Sequence, residues 1–254
     1  MANRYNIKEL ILYIEALFLA AGMDADKSAI VAQLLVEADL MGHTTHGIAQ
    51  APAYLSGLEN GLMLGTGNPI TVSDRGATIT WDGQRICGVW LTAMAIDLSV
   101  DRAKKYGTAT MAIRRSGHIA CLAAFLTRAT DKGCMIELAS SDPSIVSVAP
   151  YGGTKPAFTP NPIAIGIPTN KNPILIDISA SITTNGLTGR LFSEGKKLPG
   201  DWVQDKSGRA TNDPSVLFTE PPGTILPIGG KEYGHKGFGL ALMIEALTQG
   251  LSGL

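Results

Sequence analysis

Two histidines, two threonines and two glycines fall within six residues, Gly42-His43-Thr44-Thr45-His46-Gly47. Imidazole is the side chain whose ordinary pKa lies nearest neutral pH. A hydroxyl beside it can orient the ring or relay a proton, and glycine lets backbone approach a ligand closely. That is the composition of a proton-transfer site. It is equally the composition of a helix end, where glycine stops the helix and histidine suits the negative end of its dipole. A second cluster, Arg115-Ser116-Gly117-His118, follows an expected strand. In open α/β sheets ligands gather outside such strand ends. His118 reads as a general base or a substrate contact, or as a first-turn residue of a helix capped by Ser116.

Three further stretches could touch a ligand. Gly229-Gly230 and Gly234-His235-Lys236-Gly237-Phe238-Gly239 open a helix, so backbone N–H groups and Lys236 could receive a phosphate; a flexible connection with a solvated lysine is the alternative. Phe158-Thr159-Pro160-Asn161-Pro162 is a rigid, extended turn that could present the Thr159 hydroxyl. Asp177-Ile178-Ser179-Ala180-Ser181 ends a strand in small hydroxyl residues. Other chemistries lack their parts. There is no G-x-G-x-x-G after a strand, no P-loop lysine and no G-x-S-x-G elbow. His43-x-x-His46 has no Cys-x-x-Cys or His-Glu-x-x-His partner, so no metal site is expected.

The elements that must position these residues follow from periodicity. Apolar residues at 3- and 4-residue spacings predict a helix over 6–22 and a second from Asp24 or Asp26 to Gly42. A short helix is expected over 50–60. A strand over 77–81, a helix over 89–106 closed by Gly107, a strand over 108–113, a helix over 119–132 and a strand over 134–139 alternate as an α/β layer does. Two apolar strands follow at 163–168 and 174–178. Residues 184–223 read as an irregular excursion, and 238–251 as a last helix.

Composition bounds the class. The chain has 254 residues, 45% hydrophobic and 17% charged, enough for a substantial core. A net charge of −1 and no basic run longer than two residues give nucleic acid or an anionic membrane no purchase. The start carries no signal-peptide pattern, and its apolar run is too short to span a bilayer. Cys87, Cys121 and Cys134 lack paired spacing, which suits reduced thiols in a cytoplasmic compartment.

Taken in order, Ala-Asp-Leu-x-Gly-x-x-Thr-His-Gly, Ser-Gly-His, Val-Ala-Pro-Tyr-Gly-Gly, Thr-Pro-Asn-Pro-Ile-Ala-Ile-Gly-Ile-Pro, Leu-Ile-Asp-Ile-Ser-Ala-Ser, Leu-Pro-Gly-Asp-Trp, Asn-Asp-Pro and Gly-His-Lys-Gly-Phe-Gly-Leu resemble the malate/L-lactate dehydrogenase family over nearly the whole chain. This family includes L-sulfolactate and ureidoglycolate dehydrogenases and Δ1-piperideine-2-carboxylate reductase. The resemblance implies a non-Rossmann α/β fold of the L-sulfolactate dehydrogenase type, with a central mixed sheet, flanking helices and an N-terminal helical region. It implies an N-terminal, substrate-side region over 1–70 and a cofactor-binding domain over 71–254. It implies hydride transfer between NAD or NADP and a small 2-hydroxy or 2-keto acid, in a homodimer. A catalytically impaired or purely ligand-binding relative of the same fold is the alternative.

By the same resemblance, proton transfer falls on His46 with Thr45 beside it, where a serine is usual, and in some members on His118. Substrate contacts fall on Gln50, Tyr54, Thr159, Asn185 and Gly186. Cofactor contacts fall on Ser141, Asp177, Ile178, Ser179, Gly229, Gly230 and Lys236. Three features depart from the family pattern. Gln50 stands where an arginine is usual, Leu187 stands where some members have an acid, and the sequence stops at Leu254 where family members continue.

Overall fold

In a computed structural model of the chain, residues 4–253 are described. They divide into two compact units. The first runs to Glu137 and includes Ile165–Ile176; the second comprises Leu138–Ala164 and Asp177–Leu251. Residues 71–137 thus share a unit with the N-terminal helices.

The first unit opens with α1, Ile7–Ala20, whose N-cap Asn6 accepts the Lys8 and Glu9 N–H groups. Its inward face buries Ile14 and Phe18 against α2, Ala25–Leu40. Asp24 holds the N-cap position of α2 but makes no capping bond; its carboxylate takes the buried Lys27 ammonium at 2.8 Å. Helix α3, Ala51–Glu59, begins with Pro52 in its first turn, where a missing N–H costs nothing. Strands β1, Ile70–Asp74, and β2, Thr78–Asp82, are antiparallel. Strand β3, Thr110–Arg114, lies parallel to β2, and α4, Gly88–Tyr106, is the crossover that a parallel pair requires. Gly107 ends α4 at φ 87°, its N–H bonding the Ala103 carbonyl at 2.7 Å.

Helix α5 is shorter than expected, Ala123–Thr130, because residues 116–121 form no helix. Helices α2, α4 and α5 pack together over Val31, Leu35, Val89, Leu91, Phe125 and Leu126. Strand β1 lacked a sequence signal for a physical reason: four of its five positions are exposed, so no buried alternation marks it.

Strands β4, Ile136–Ala139, β5, Pro162–Ile167, and β6, Ile174–Ser179, form a second sheet in the order β4-β5-β6. The last strand of the expected β/α alternation therefore pairs with β5 and not with β3. The stretch 184–223, expected to be irregular, contains helix α6, Asn185–Ser193, and strands β7, Val203–Gln204, and β8, Ala210–Thr211. With β9, Thr224–Ile225, these strands make a third sheet in the order β8-β7-β9. Val148, Leu198, Val203 and Ile225 bury its apolar side. Two short elements close the second unit: α7, Gly230–Tyr233, and α8, His235–Glu245, whose Ala241 and Ile244 pack with Ile163 and Ala180. The last helix starts three residues earlier than expected and becomes a π-helical turn over Ala246–Gly250. The strands are thus gathered in three small sheets, in a mixed α/β chain. Among the described residues no helix is long and apolar enough to cross a membrane.

Candidate active site

In the first unit, the histidine motif is both a helix end and a cluster of reactive groups. Helix α2 closes with Gly42 at φ 89°, and the N–H groups of Gly42 and His43 return to the Asp39 and Ala38 carbonyls. That paired return is the glycine-terminated helix stop. The chain then folds back on the last turn of α2. Asp39 accepts the Ile48 N–H at 2.8 Å, and a Cβ on Gly47 would lie 2.4–2.5 Å from the Asp39 carboxylate atoms. Asp39 and Gly47 therefore fix each other, and with them the path through Thr45 and His46. His43 contributes backbone bonds to this turn, its carbonyl accepting the His46 N–H at 2.8 Å.

Within this loop Thr45 Oγ1 lies 2.9 Å from His46 Nδ1. Gln50 Nε2 donates to the Thr45 carbonyl at 2.7 Å. Gln50, expected at the substrate, thus holds the backbone of the residue that holds His46. Its amide is neutral, so this position cannot clamp a carboxylate with charge as an arginine does.

His118 lies beside this loop, its ring 6.0 Å from that of His46 and tilted by 26°. It is exposed and sits in no helix. Ser116, expected as a helix cap, donates its hydroxyl to the Gly117 carbonyl at 2.9 Å. Two devices fix the 115–118 loop. Arg115 forks onto Asp82 with Nε at 2.9 and 3.0 Å and Nη2 at 2.5 Å, which holds the Asp82 carboxyl far below its usual range. Gly88, at the start of α4, touches Gly117 so closely that a Cβ would lie 2.0 Å from the Gly117 oxygen.

Behind His118 stands Tyr54 of α3, buried, with its hydroxyl 2.8 Å from His118 Nδ1. Burial raises the Tyr54 phenol well above its ordinary pKa, and the neighbouring Cys87 adds to this. Cys87 is itself pushed up to about 11 by burial, so it is a neutral thiol. The Ala120 N–H also meets His118 Nδ1, at 3.3 Å. Ala120 is left-handed at φ 57°, a conformation costing an L-residue about 1–2 kcal/mol.

The remaining expected residues lie in the second unit. Ser141 Oγ is 2.8 Å from Thr248 Oγ1 and accepts Gln249 Nε2 at 3.2 Å. Gln249 Nε2 also donates to Glu245, whose other carboxylate oxygen accepts the buried Asn161 amide at 2.8 Å. Thr159 lines a cavity of about 210 Å³ with Asp142, Phe158, Glu245 and Gln249. Asp177, Ile178 and Ser179 end β6, Ile178 exposed and Ser179 donating to the Ser181 carbonyl at 2.8 Å. Asn185 and Gly186 are exposed at the start of α6, where Thr184 caps the Leu187 N–H. Gly229 and Gly230 turn the chain into α7 with φ of 94° and 61°. Lys236 is exposed in the first turn of α8, its ammonium 5.7 Å from the Tyr233 ring.

The structure therefore gathers Thr45, His46, Gln50, Tyr54 and His118 into one connected group. In the second unit, a hydrogen bond joins Ser141 to the cavity residue Gln249, and Asn185 and Gly186 lie at the start of α6. Sequence reasoning missed Ala120, whose part is a backbone N–H without a residue signature. It also missed Asp142, Glu245 and Gln249, ordinary polar residues in a helix and a loop.

The first unit thus carries a histidine–hydroxyl cluster suited to acid–base chemistry, and the chain has no Rossmann motif. The comparison with known proteins agrees. The chain belongs to the malate/L-lactate dehydrogenase family, whose pattern it matches over residues 5–254. It is 30% identical over 251 residues to the L-sulfolactate dehydrogenase of Methanothermobacter thermautotrophicus, covering 98% of this chain and 71% of that protein. It is 30% identical to the hydroxycarboxylate dehydrogenase B of Escherichia coli, covering 99% and 69%. Among solved structures, the malate dehydrogenase of Entamoeba histolytica superposes with a TM-score of 0.93 at 26% identity, over 99% of this chain and 72% of that one. The Δ1-piperideine-2-carboxylate reductase of Pseudomonas syringae does so with a TM-score of 0.89 at 29% identity, over 99% and 74%.

Proposed function

We propose that this chain transfers a hydride between NAD or NADP and a small 2-hydroxy or 2-keto acid, with His46 as the proton-transfer residue. The relatives are hydroxy-acid dehydrogenases and reductases, and the chain is a dehydrogenase of that family. The observation that carries the site assignment is the Thr45–His46 contact. A hydroxyl can donate to bare Nδ1 or accept from protonated Nδ1. Thr45 therefore serves the ring in both charge states, as a reversible acid–base requires.

In oxidation the hydroxyl proton of the substrate passes to His46 as the hydride leaves its carbon. In reduction His46 returns the proton to the forming alkoxide. The nicotinamide supplies the hydride chemistry when bound. The donor set of the second unit suits it: the Asp177 carboxylate can accept a ribose hydroxyl, Ser141 and Ser179 offer hydroxyls, and exposed Lys236 offers a cation to phosphate. Gly230 leaves the backbone at the start of α7 open, with no atom within 4 Å of a Cβ built on it, while Gly229 packs against the Tyr233 carbonyl. Thr159, Asn185 and Gly186 are the substrate contacts proposed from that unit; on the other, Gln50 and Tyr54, which the resemblance puts at the substrate, support the site through the Thr45 carbonyl and His118 Nδ1. Cysteines outside any disulfide suit a cytoplasmic protein, and a homodimer is the assembly proposed from the family.

Fluorescence titration with NADH and NADPH, followed by cofactor oxidation over a panel of 2-keto acids and cyclic imines, tests the reading. Binding with turnover of at least one panel member is expected. Tight cofactor binding with no turnover on any of them would sink it and leave a ligand-binding relative.

A further inference from the structure

The two histidines have partners of different kind. His46 Nδ1 faces a hydroxyl, which can reverse its role. His118 Nδ1 faces the Ala120 N–H at 3.3 Å, and an amide N–H only donates. The Nδ1 of His118 is therefore the bare nitrogen, and the proton of the neutral ring sits on Nε2. Tyr54 completes the arrangement. Its hydroxyl lies 2.8 Å from the same Nδ1 and 3.3 Å from the His118 carbonyl oxygen, it is 4% exposed, and burial keeps the phenol protonated; with the Ala120 N–H already on Nδ1, that nitrogen is the nearer acceptor for its proton. The ring stands 5.9 Å from the Tyr54 ring at 70°, edge to face, which sets its plane.

We propose that Tyr54 is a positioning residue that, with the Ala120 N–H, holds His118 as its Nε2–H tautomer, so that His118 acts as a fixed hydrogen-bond donor and proton acceptance falls to His46 alone. A neutral ring in this tautomer can take a second proton only at Nδ1, where two donors already point. It can still give a hydrogen bond from Nε2 to the carbonyl or hydroxyl oxygen of a 2-keto or 2-hydroxy acid. Such a donor polarises the carbonyl for hydride attack without itself changing charge. Ala120 supports this at some cost: its left-handed backbone is what returns its N–H to the ring two residues before it.

The chemical meaning rests on the dehydrogenase reading, but the tautomer is read without turnover. The protein, labelled with ¹⁵N in its four histidines, gives long-range ¹H–¹⁵N correlations that separate Nε2–H from Nδ1–H rings. The His118 signal is assigned by its loss in His118→Gln. A single Nε2–H pattern is expected for His118 in the wild-type protein; an Nδ1–H or averaged pattern overturns the proposal. In Tyr54→Phe the His118 pattern is expected to become averaged while the signals of His43, His46 and His235 stay in place, which shows the fold intact. The expected loss in kcat/KM is about tenfold, the scale of one hydrogen bond. An unchanged tautomer in Tyr54→Phe overturns the role of Tyr54. A wild-type protein with the expected tautomer but no turnover fails the dehydrogenase reading and not this one.

Discussion

The chemistry turns on which atom of each histidine is held, and by what. At His46 the partner is a threonine hydroxyl that can donate or accept. Thr45→Ser keeps that hydroxyl and should keep kcat within about threefold of wild type. Thr45→Val keeps the branched shape and removes the hydroxyl, and should lower kcat by about tenfold, on the scale of a lost hydrogen bond. Steady-state kinetics on one keto acid decides it; equal rates for the two variants would make Thr45 a packing residue. The histidines themselves were legible in the sequence because imidazole beside hydroxyl and glycine is an unusual grouping. Their partners were not. The Ala120 N–H belongs to a residue with no chemical side chain, and nothing in a lone Gln50 says that its amide turns back onto Thr45.

Single glycines hold the elements in place around these side chains. Gly88 starts α4 against the loop that carries His118, with room for no more than hydrogen. Gly88→Ala should displace residues 117–118 or cost about 1–3 kcal/mol of stability, the range for an overpacked site. Urea denaturation with the His118 tautomer signal as a second probe measures both; an alanine at wild-type stability with an unmoved signal would refute the close approach. The long helices were legible from apolar spacing and glycine stops, as α1, α2 and α4 illustrate. Helix α6 was not. It contains Gly186 and Gly189, each costing a helix about 1 kcal/mol against alanine, and it buries only Thr188. Local bonds hold it instead: Thr184 caps Leu187, and the Thr188 hydroxyl returns to the Thr184 and Asn185 carbonyls at 3.1 and 2.9 Å. The loop before α5 was misread for the opposite reason. Ser-Gly-His before an apolar run looks like a capped helix start, but Arg115 is bound to Asp82 and Gly117 is pressed on Gly88, which keeps the loop out of helix until Ala123.

At the scale of the whole molecule, several carboxylates held low in the fold, three of them most strongly, shape how stability responds to acid. Arg115 holds Asp82 far below the carboxylate range, the Ser207 hydroxyl brings Asp205 down to about 2, and Lys197 brings Asp213 down to about 2. Each is lower in the folded than in the unfolded chain, where a carboxyl titrates near about 4. Their contribution is thus complete above about pH 4 and is lost as pH falls through about 2, where the folded carboxyls take up protons. The urea midpoint should stay level from neutral pH to about 4.5 and then fall steadily. A midpoint already falling by about pH 6 would place the acid-sensitive groups elsewhere. Because Asp82 anchors Arg115 next to the His118 loop, activity should not outlast this transition.

The account stands most directly on the rate of NADH- and NADPH-linked reduction of 2-keto acids by the wild-type protein and by His46→Ala. Turnover of at least one acid by the wild type, with kcat lowered about 10²-fold or more in His46→Ala, is the predicted result. A His46→Ala protein that keeps kcat within about twofold of wild type would contradict it.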